Sequence, residues 1–252
     1  MKTLKVLSAL LTYPTPELLE AADELKAVLR REGVLKKQAL NGVLNLVDAL
    51  VEGDLFDAQE RYILLFDRTR SLSLHLFEHV HGESRDRGQA MVDLIKVYED
   101  GGFTPTISEL PDFLPLFLEY AAIQTPEAAL ELIGQPGNVF AALSERLGKR
   151  QSPYQAVFTA LVALSKAKLD EAALAALRAE PDPEPDDLEA LDAAWAEEEV
   201  SFGPGAAADD CGIDSLGAKL RQARRPAPGL EPIPGAGPRT VHTHSATTPR
   251  GA

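Results

Sequence analysis

The 252-residue sequence predicts an all-helical protein built as a single multi-helix domain with a disordered C-terminal tail. Apolar residues recur at helical spacing in nearly every segment up to about residue 178. No segment combines strict apolar alternation with turn residues, as half-buried strands do. A hydroxyl residue directly precedes proline at Thr15, Thr125 and Ser152, which is the pattern of a capped helix start.

The first elements follow from amphipathic stripes. Residues 1 to 11 predict a helix and not a signal peptide, because no cleavage site follows the short apolar run. A second clear helix is expected from about Asp54 to Asp67. Its apolar side is formed by Leu55, Ala58, Tyr62, Leu65 and Phe66.

The next segment predicts two helices that meet at a corner. One helix is expected from about Ser71 to His81, ended by Gly82, and the next begins at a capping Ser84 and stops at residues 101 and 102. The first helix would bury an apolar arc and leave a polar face of Ser71, His75, Glu78 and His79. The corner therefore concentrates histidines, carboxylates and arginines.

The later helices are longer in this prediction. Residues 110 to 123 are apolar nearly all round, which indicates a central helix. If this helix begins at Pro111, Pro115 removes a backbone hydrogen bond and a kink is expected. Residues 135 to 137 break the chain. A long helix is then expected from Ser152 to about Arg178.

Charge and composition divide the chain further. We expect a helical domain over residues 1–178, an acidic linker with a candidate short helix over 179–203, and a disordered Pro/Gly-rich tail over 204–252. Of the net charge of −14, residues 170–210 contribute −13, from fourteen acids and Arg178. Such acidity disfavours nucleic acid and favours basic partners, although a solvated, solubilising stretch explains it equally well.

Other classes of protein are disfavoured by what the sequence lacks. Cys211 is the only cysteine, so the chain can form neither an internal disulfide nor a multi-thiolate cluster, and a reducing cytoplasm is the expected compartment. No apolar run is long enough to insert in a membrane. No phosphate loop or nucleophile elbow is present, which disfavours nucleotide binding and nucleophilic catalysis. We expect no bound cofactor.

One alternative is a metal-dependent hydrolase that uses His75, Glu78 and His79. The two histidines lie four residues apart, as in helical zinc sites. However, the metalloprotease pattern requires glutamate directly after the first histidine, where this chain has Leu76. The arginines around the corner leave two interpretations open, anion binding or structural pairing with nearby carboxylates. These arginines are Arg68, Arg70, Arg85 and Arg87.

Three runs, residues 64–70, 73–91 and 110–115, resemble NarJ-type assembly chaperones of respiratory nitrate reductase. The resemblance covers roughly residues 1–200 and implies the all-helical fold of the TorD-like redox-enzyme maturation group. It also implies a cytoplasmic chaperone that is not an enzyme. Such a chaperone binds the N-terminal segment of the apo catalytic subunit while molybdenum cofactor and an iron-sulfur cluster are inserted, before membrane docking.

The resemblance places a peptide groove beside residues 66–87 and the helix over 110–120. Candidate peptide-binding residues are Asp67, His75, Phe77, Glu78, His79, Glu83, Arg85, Asp112, Phe113 and Phe117. The carboxylates would face a basic client and the phenylalanines would anchor it. Molybdenum cofactor biosynthesis proteins are further candidate partners. A monomer or weak homo-oligomer is expected, and a permanent oxidoreductase subunit is another alternative.

Overall fold

The structure, a computed structural model, describes residues 1–81, 86–104, 109–165 and 168–182. All of them belong to one compact unit of the chain, within Met1–Ala194. The predicted corner at Gly82 and Ser84, the candidate residues Glu83 and Arg85, and the tail over 204–252 lie outside the described residues. The same holds for residues 183–203 of the acidic linker.

The all-helical class is confirmed in the described part of the chain, which forms α-helices joined by short turns. A π-helical turn over Ile63–Asp67 and a 3₁₀ turn over Arg70–Leu72 supplement them. The α-helices are α1 (Lys2–Leu10), α2 (Pro16–Glu20), α3 (Ala22–Glu32), α4 (Lys37–Val51), α5 (Leu55–Tyr62), α6 (Leu76–His81), α7 (Asp86–Asp100), α8 (Leu114–Ile123), α9 (Pro126–Gly134), α10 (Gly137–Lys149), α11 (Gln155–Ser165) and α12 (Glu171–Ala179).

The core lies where α1 packs on α8, and where α11 packs on α10 and α4. Side chains such as Leu7, Leu114 and Phe158 are fully buried there, since each amphipathic stripe needs an apolar partner. A Cβ on Gly42 would lie 3.1 Å from that of Ala156, so α4 and α11 approach closely. Across the described residues, no helix is both long and apolar enough to cross a bilayer.

Two of the predicted helix caps are confirmed. The side chain of Thr15 accepts a hydrogen bond from the backbone of Leu18, and that of Thr125 accepts one from Ala128. Each threonine is followed by a proline in the first turn, where the missing N–H costs nothing. At Ser152 the hydroxyl accepts from the backbone of Tyr154 instead, and the regular helix begins at Gln155.

The condition for a kink at Pro115 is not met. Helix α8 begins at Leu114, not at Pro111, so Pro115 lies in its first turn. First-turn N–H groups have no intrahelical acceptor, and proline is therefore tolerated there without bending the helix.

The predicted long helix from Ser152 to Arg178 is also wrong, because the chain forms α11 and α12 instead. The carboxylate of Asp170 accepts hydrogen bonds from the backbone N–H groups of Ala172 and Ala173, at 2.9 and 3.2 Å. This side chain caps a new helix, and α12 packs on α10.

The predicted helix from Ser71 to His81 is correct only in its second half. The 3₁₀ turn ends at Leu72, residues 73–75 are not helical, and α6 begins at Leu76. The N–H of Leu114 donates to the Leu74 carbonyl at 2.8 Å, and that of Leu76 donates to the Asp112 carbonyl at 3.1 Å. An isolated antiparallel bridge between His75 and Phe113 results, and pairing with this distant segment replaces the local helix.

Candidate functional site

Asp112 is the centre of the predicted site, and its carboxylate is wholly buried, at 0% exposure. One oxygen accepts from the N–H of Phe77 at 3.1 Å, and the other accepts from Nδ1 of His75 at 3.2 Å. Asp112 therefore caps the N-terminus of α6 from a segment 35 residues away, where the helix dipole favours a negative charge. The expectation that this carboxylate is accessible to a client is wrong.

His75 lies at the edge of this arrangement and is partly exposed. The hydrogen bond to Asp112 raises the pKa of the His75 imidazole above its ordinary value, despite opposing desolvation. The ring also packs against Phe113, with centroids 5.4 Å apart. Of the predicted polar face, His75 is a member that keeps contact with solvent.

His79 does not lie on an exposed polar face as predicted, because it is buried. Its Nε2 donates to the carbonyl of Ser73 at 2.8 Å. Burial lowers the pKa of His79, which keeps the ring neutral near pH 7. The predicted face assumed one continuous helix from Ser71, whereas α6 begins only at Leu76 and His79 is buried within it.

Glu78 joins α6 to α7 through an ion pair with Arg87, with an N–O distance of 3.1 Å. Both side chains are about a quarter exposed. For Arg87, the structural pairing interpretation is confirmed, although with a carboxylate that the sequence did not single out as its partner. Asp67 is exposed at the end of the π-helical turn.

The three candidate aromatic anchors differ in burial. Phe77 and Phe113 are partly buried against the core. Phe117 is a core residue, and its side chain is not accessible as an anchor in this structure. The remaining accessible candidates in the described part of the chain are Asp67, His75, Phe77, Glu78 and Phe113.

Sequence reasoning missed Arg146, which is only 3% exposed. Its guanidinium donates to the carbonyl of Ser71 at 2.7 Å, to the carbonyl of Leu177, and to the carboxylate of Glu180 at 3.2 Å. One buried cation thus joins the 3₁₀ turn to the end of α12. A signal was present in the sequence, since Arg146 continues the apolar stripe of Val139 and Leu143.

The start of the acidic segment is held at the same place. Arg150 donates to Asp182 at 2.7 Å, and the hydroxyl of Ser71 donates to the same carboxylate oxygen at 2.6 Å. Together with the bonds around α6, these contacts form one connected region, which we call the corner network. It consists of Ser71, Ser73, His75, His79, Asp112, Arg146, Arg150, Glu180 and Asp182.

The described geometry does not favour the metal-dependent hydrolase. His75 donates to Asp112, while His79 donates to Ser73, so the two rings are committed to different partners. Within the described ranges, no three histidine, cysteine or carboxylate side chains converge as a metal site. In the corner network, the polar groups bind each other and support the fold.

The comparison with protein families agrees with the sequence resemblance. The family described as nitrate reductase delta subunit matches residues 17–160 of the chain. The nitrate reductase molybdenum cofactor assembly chaperone NarJ of Escherichia coli strain K12 is 40% identical over 222 residues, which cover 88% of this chain and 92% of the relative.

Two further relatives extend this picture. The probable assembly chaperone NarW of Escherichia coli strain K12 is 39% identical over 202 residues, covering 80% of this chain and 84% of the relative. The probable NarJ of Bacillus subtilis strain 168 is 32% identical over 161 residues, covering 64% of this chain and 86% of the relative. Because these matches span most of each relative, the similarity is not confined to one motif.

Proposed function

The chain belongs to the nitrate reductase delta subunit family, and from that membership we propose that it is an assembly chaperone for a nitrate reductase. The observation that carries this proposal is the 40% identity to NarJ across 88% of the chain. NarJ and NarW are named as molybdenum cofactor assembly chaperones. The family therefore consists of chaperones and not of enzymes. The catalytic subunit of the reductase is the proposed partner.

In more detail, the chaperone binds the N-terminal segment of the apo catalytic subunit and holds it while molybdenum cofactor and an iron-sulfur cluster are inserted. Release then precedes membrane docking. The net charge of −14 supports a basic client segment, because electrostatic complementarity raises encounter rate and selectivity. Exposed apolar side chains such as Phe56 and Val92 are available to the apolar face of an amphipathic client helix.

Among the candidate contact residues, exposure separates two roles. Asp67, His75, Phe77, Glu78 and Phe113 keep accessible surface and are proposed to contact the client. The buried Asp112, His79 and Phe117 act indirectly, by holding the shape of this region. Glu83 and Arg85 remain proposed contacts outside the described residues.

The proposed setting is the cytoplasm, where a chain with one cysteine is kept reduced. Molybdenum cofactor biosynthesis proteins are proposed as transient partners, and the chaperone itself as a monomer or weak homo-oligomer. A chaperone leaves the finished complex, whereas a permanent subunit stays in it. Affinity purification should therefore recover the chain with the immature reductase and not with the mature membrane complex.

The direct test is calorimetric titration with a synthetic peptide from the N-terminus of the catalytic subunit, at low and at high salt. We expect saturable binding that weakens at high salt, since salt screens the attraction between acidic protein and basic peptide. Absence of binding at both salt concentrations, with the protein folded, would contradict the proposal. If binding does not change with salt, the apolar contacts remain part of the proposed binding site and the carboxylates do not.

A further inference from the structure

An open groove of about 450 Å³ lies on the outer side of α5 and the π-helical turn. Its apolar residues are Tyr13, Phe56, Ile63 and Leu64, and we call it the Tyr13–Phe56 groove. Phe56 is 75% exposed and Tyr13 is 42% exposed, which is unusual for large aromatic side chains. Exposed aromatic surface at a concave site is typical of an interaction surface.

The wall that carries Tyr13 is held in place by α5. The side-chain amide of Gln59 donates to the carbonyl of Pro14 at 2.9 Å, and the hydroxyl of Tyr62 donates to that of Leu11 at 3.0 Å. The rings of Tyr13 and Tyr62 also meet edge to face, with centroids 5.7 Å apart. A groove held in this way is preorganised, so a ligand need not bear the cost of ordering it.

The floor of the groove is formed by the π-helical turn. The N–H of Arg68 donates to the carbonyl of Ile63 at 3.0 Å, which closes the wide turn. Leu65 and Phe66 enter the core, while Ile63 and Leu64 line the groove. π-helical turns are rare and are frequently found at functional sites.

Charge around the groove selects the kind of partner. Residues 52–67 carry five acids against one base, Arg61, which makes −4 over this stretch. Two of the acids, Asp57 and Glu60, line the groove and are exposed. Arg68 at one end of the groove is the single basic residue in its lining. The groove therefore combines an apolar floor with a predominantly acidic rim.

We propose that the Tyr13–Phe56 groove is the docking surface for the apolar face of a basic, amphipathic helical segment of the client. This inference rests on the proposed function, because it takes the client segment from there and adds the surface that receives it. Apolar side chains spaced one helical turn apart would enter beside Phe56 and Ile63. Lysine or arginine on the flanks of that helix would lie over Asp57 and Glu60.

The first test replaces Phe56 by alanine and titrates the variant with the N-terminal peptide of the catalytic subunit. Phe56→Ala should weaken binding about tenfold or more, since an aromatic anchor carries a large share of such an interface. The matched control is Ile123→Ala, because Ile123 is also exposed, at 61%, but lies outside the groove. This control should leave the dissociation constant within about twofold of the unmodified protein.

The second test concerns the acidic rim. The pair Asp57→Asn and Glu60→Gln should reduce the salt dependence of peptide binding, because two charges that face the peptide are removed. The control is Glu131→Gln, an exposed glutamate on α9 that does not line the groove. The rim pair should change the salt dependence more than the control.

The outcomes separate the groove from the proposed function. Suppose that the unmodified protein binds the peptide and that Phe56→Ala binds it as tightly as Ile123→Ala does. The proposal that the groove is the docking surface is then contradicted, while the proposed function stands. If the unmodified, folded protein does not bind the peptide, both fail. A photo-crosslinking residue at position 56 that captures the peptide, where the same residue at position 123 does not, would support the groove.

Discussion

The corner network and the Tyr13–Phe56 groove are neighbours along the chain, but their chemistry is opposite. The network gathers polar and charged groups whose described hydrogen bonds run to one another or to nearby backbone groups, around the buried Asp112 and Arg146. The groove presents large apolar side chains to solvent, among them Phe56. The cluster of polar residues in the sequence therefore marks a place where polar side chains pair with one another inside the protein. The open surface is formed by residues that have no distinctive sequence pattern.

This difference has a physical basis. A buried polar group is costly unless it is paired, so residues that meet in the interior must supply one another's partners. An exposed apolar side chain needs no partner and leaves no mark on the spacing of its neighbours. Substitution of the buried residues of the corner network should therefore mainly change stability, whereas substitution in the groove should mainly change binding.

The largest effect is expected at Arg146. Arg146→Met leaves the carbonyls of Ser71 and Leu177 and the carboxylate of Glu180 without their donor, which should lower the free energy of unfolding by about 3 to 5 kcal/mol. Urea denaturation monitored by circular dichroism would measure it. The control is Arg178→Met, because Arg178 pairs with Glu145 at the surface and such pairs contribute little. Similar losses in both variants would contradict the assignment.

A pair of truncations sharpens the boundary of the network. A chain that ends at Asp182 keeps the partners of Arg146 and Arg150, and one that ends at Ala179 loses Glu180 and Asp182. The shorter chain should be less stable by about 2 kcal/mol, because buried cations lose their carboxylates. Equal thermal stability of the two chains would place these contacts outside the stable core. It would also favour the predicted boundary at residue 178.

A smaller loss is expected at Asp112. In Asp112→Asn a single amide oxygen cannot accept from both His75 and the backbone of Phe77, which should cost about 1 to 2 kcal/mol. Chemical denaturation at pH 7.5 would measure it. Peptide binding should weaken less than in Phe56→Ala, since the buried Asp112 is proposed to hold the shape of the contact region and not to touch the client. A loss of binding as large as that of Phe56→Ala, in a folded variant, would contradict this indirect role.

The two histidines should give opposite pH dependences. Asp112 raises the pKa of folded His75, so its stabilisation is present below the ordinary value of 6.5 and is lost as pH rises through the folded pKa. Burial lowers the pKa of folded His79, so its stabilisation is present above 6.5 and is lost as pH falls.

Denaturation at pH 7.5 and 5.5 tests these signs. The stability deficit of Asp112→Asn relative to the unmodified protein should be larger at pH 5.5, because His75 is then protonated and the variant lacks the carboxylate that stabilises its charge. The deficit of His79→Gln should be smaller at pH 5.5. At that pH the unfolded chain binds a proton at His79 more readily than the folded protein does, so the unmodified protein is itself less stable. If the two deficits do not change with pH, then protonation of His75 and of His79 does not contribute to the stability of the protein.

The smallest change in stability is expected at Phe56. Since 75% of its surface is already exposed, Phe56→Ala should alter the free energy of unfolding by less than about 0.5 kcal/mol. Thermal denaturation would measure it beside Phe66→Ala, a buried neighbour on the π-helical turn that should cost about 3 kcal/mol or more. Comparable losses would show that Phe56 supports the fold and is not a free surface.

Local signals predicted much of the fold. The caps at Thr15 and Thr125 and the end of α7 near Gly102 depend on residues within one turn of each other, and they were read correctly. The candidate site was predicted less well. The sequence singled out Asp112 and His79 as site residues, but their burial depends on contacts that no local spacing encodes.

By itself, the sequence determined the all-helical class, two of the three capped starts and the family, because these rest on periodicity, on caps within one turn and on runs of residues. The tertiary structure alone decided that residues 74–76 pair with residues 112–114, and that the long helix after Ser152 is broken. It also decided that Arg146 is buried. His75 and Asp112 are 37 positions apart, and only chain packing could bring them together.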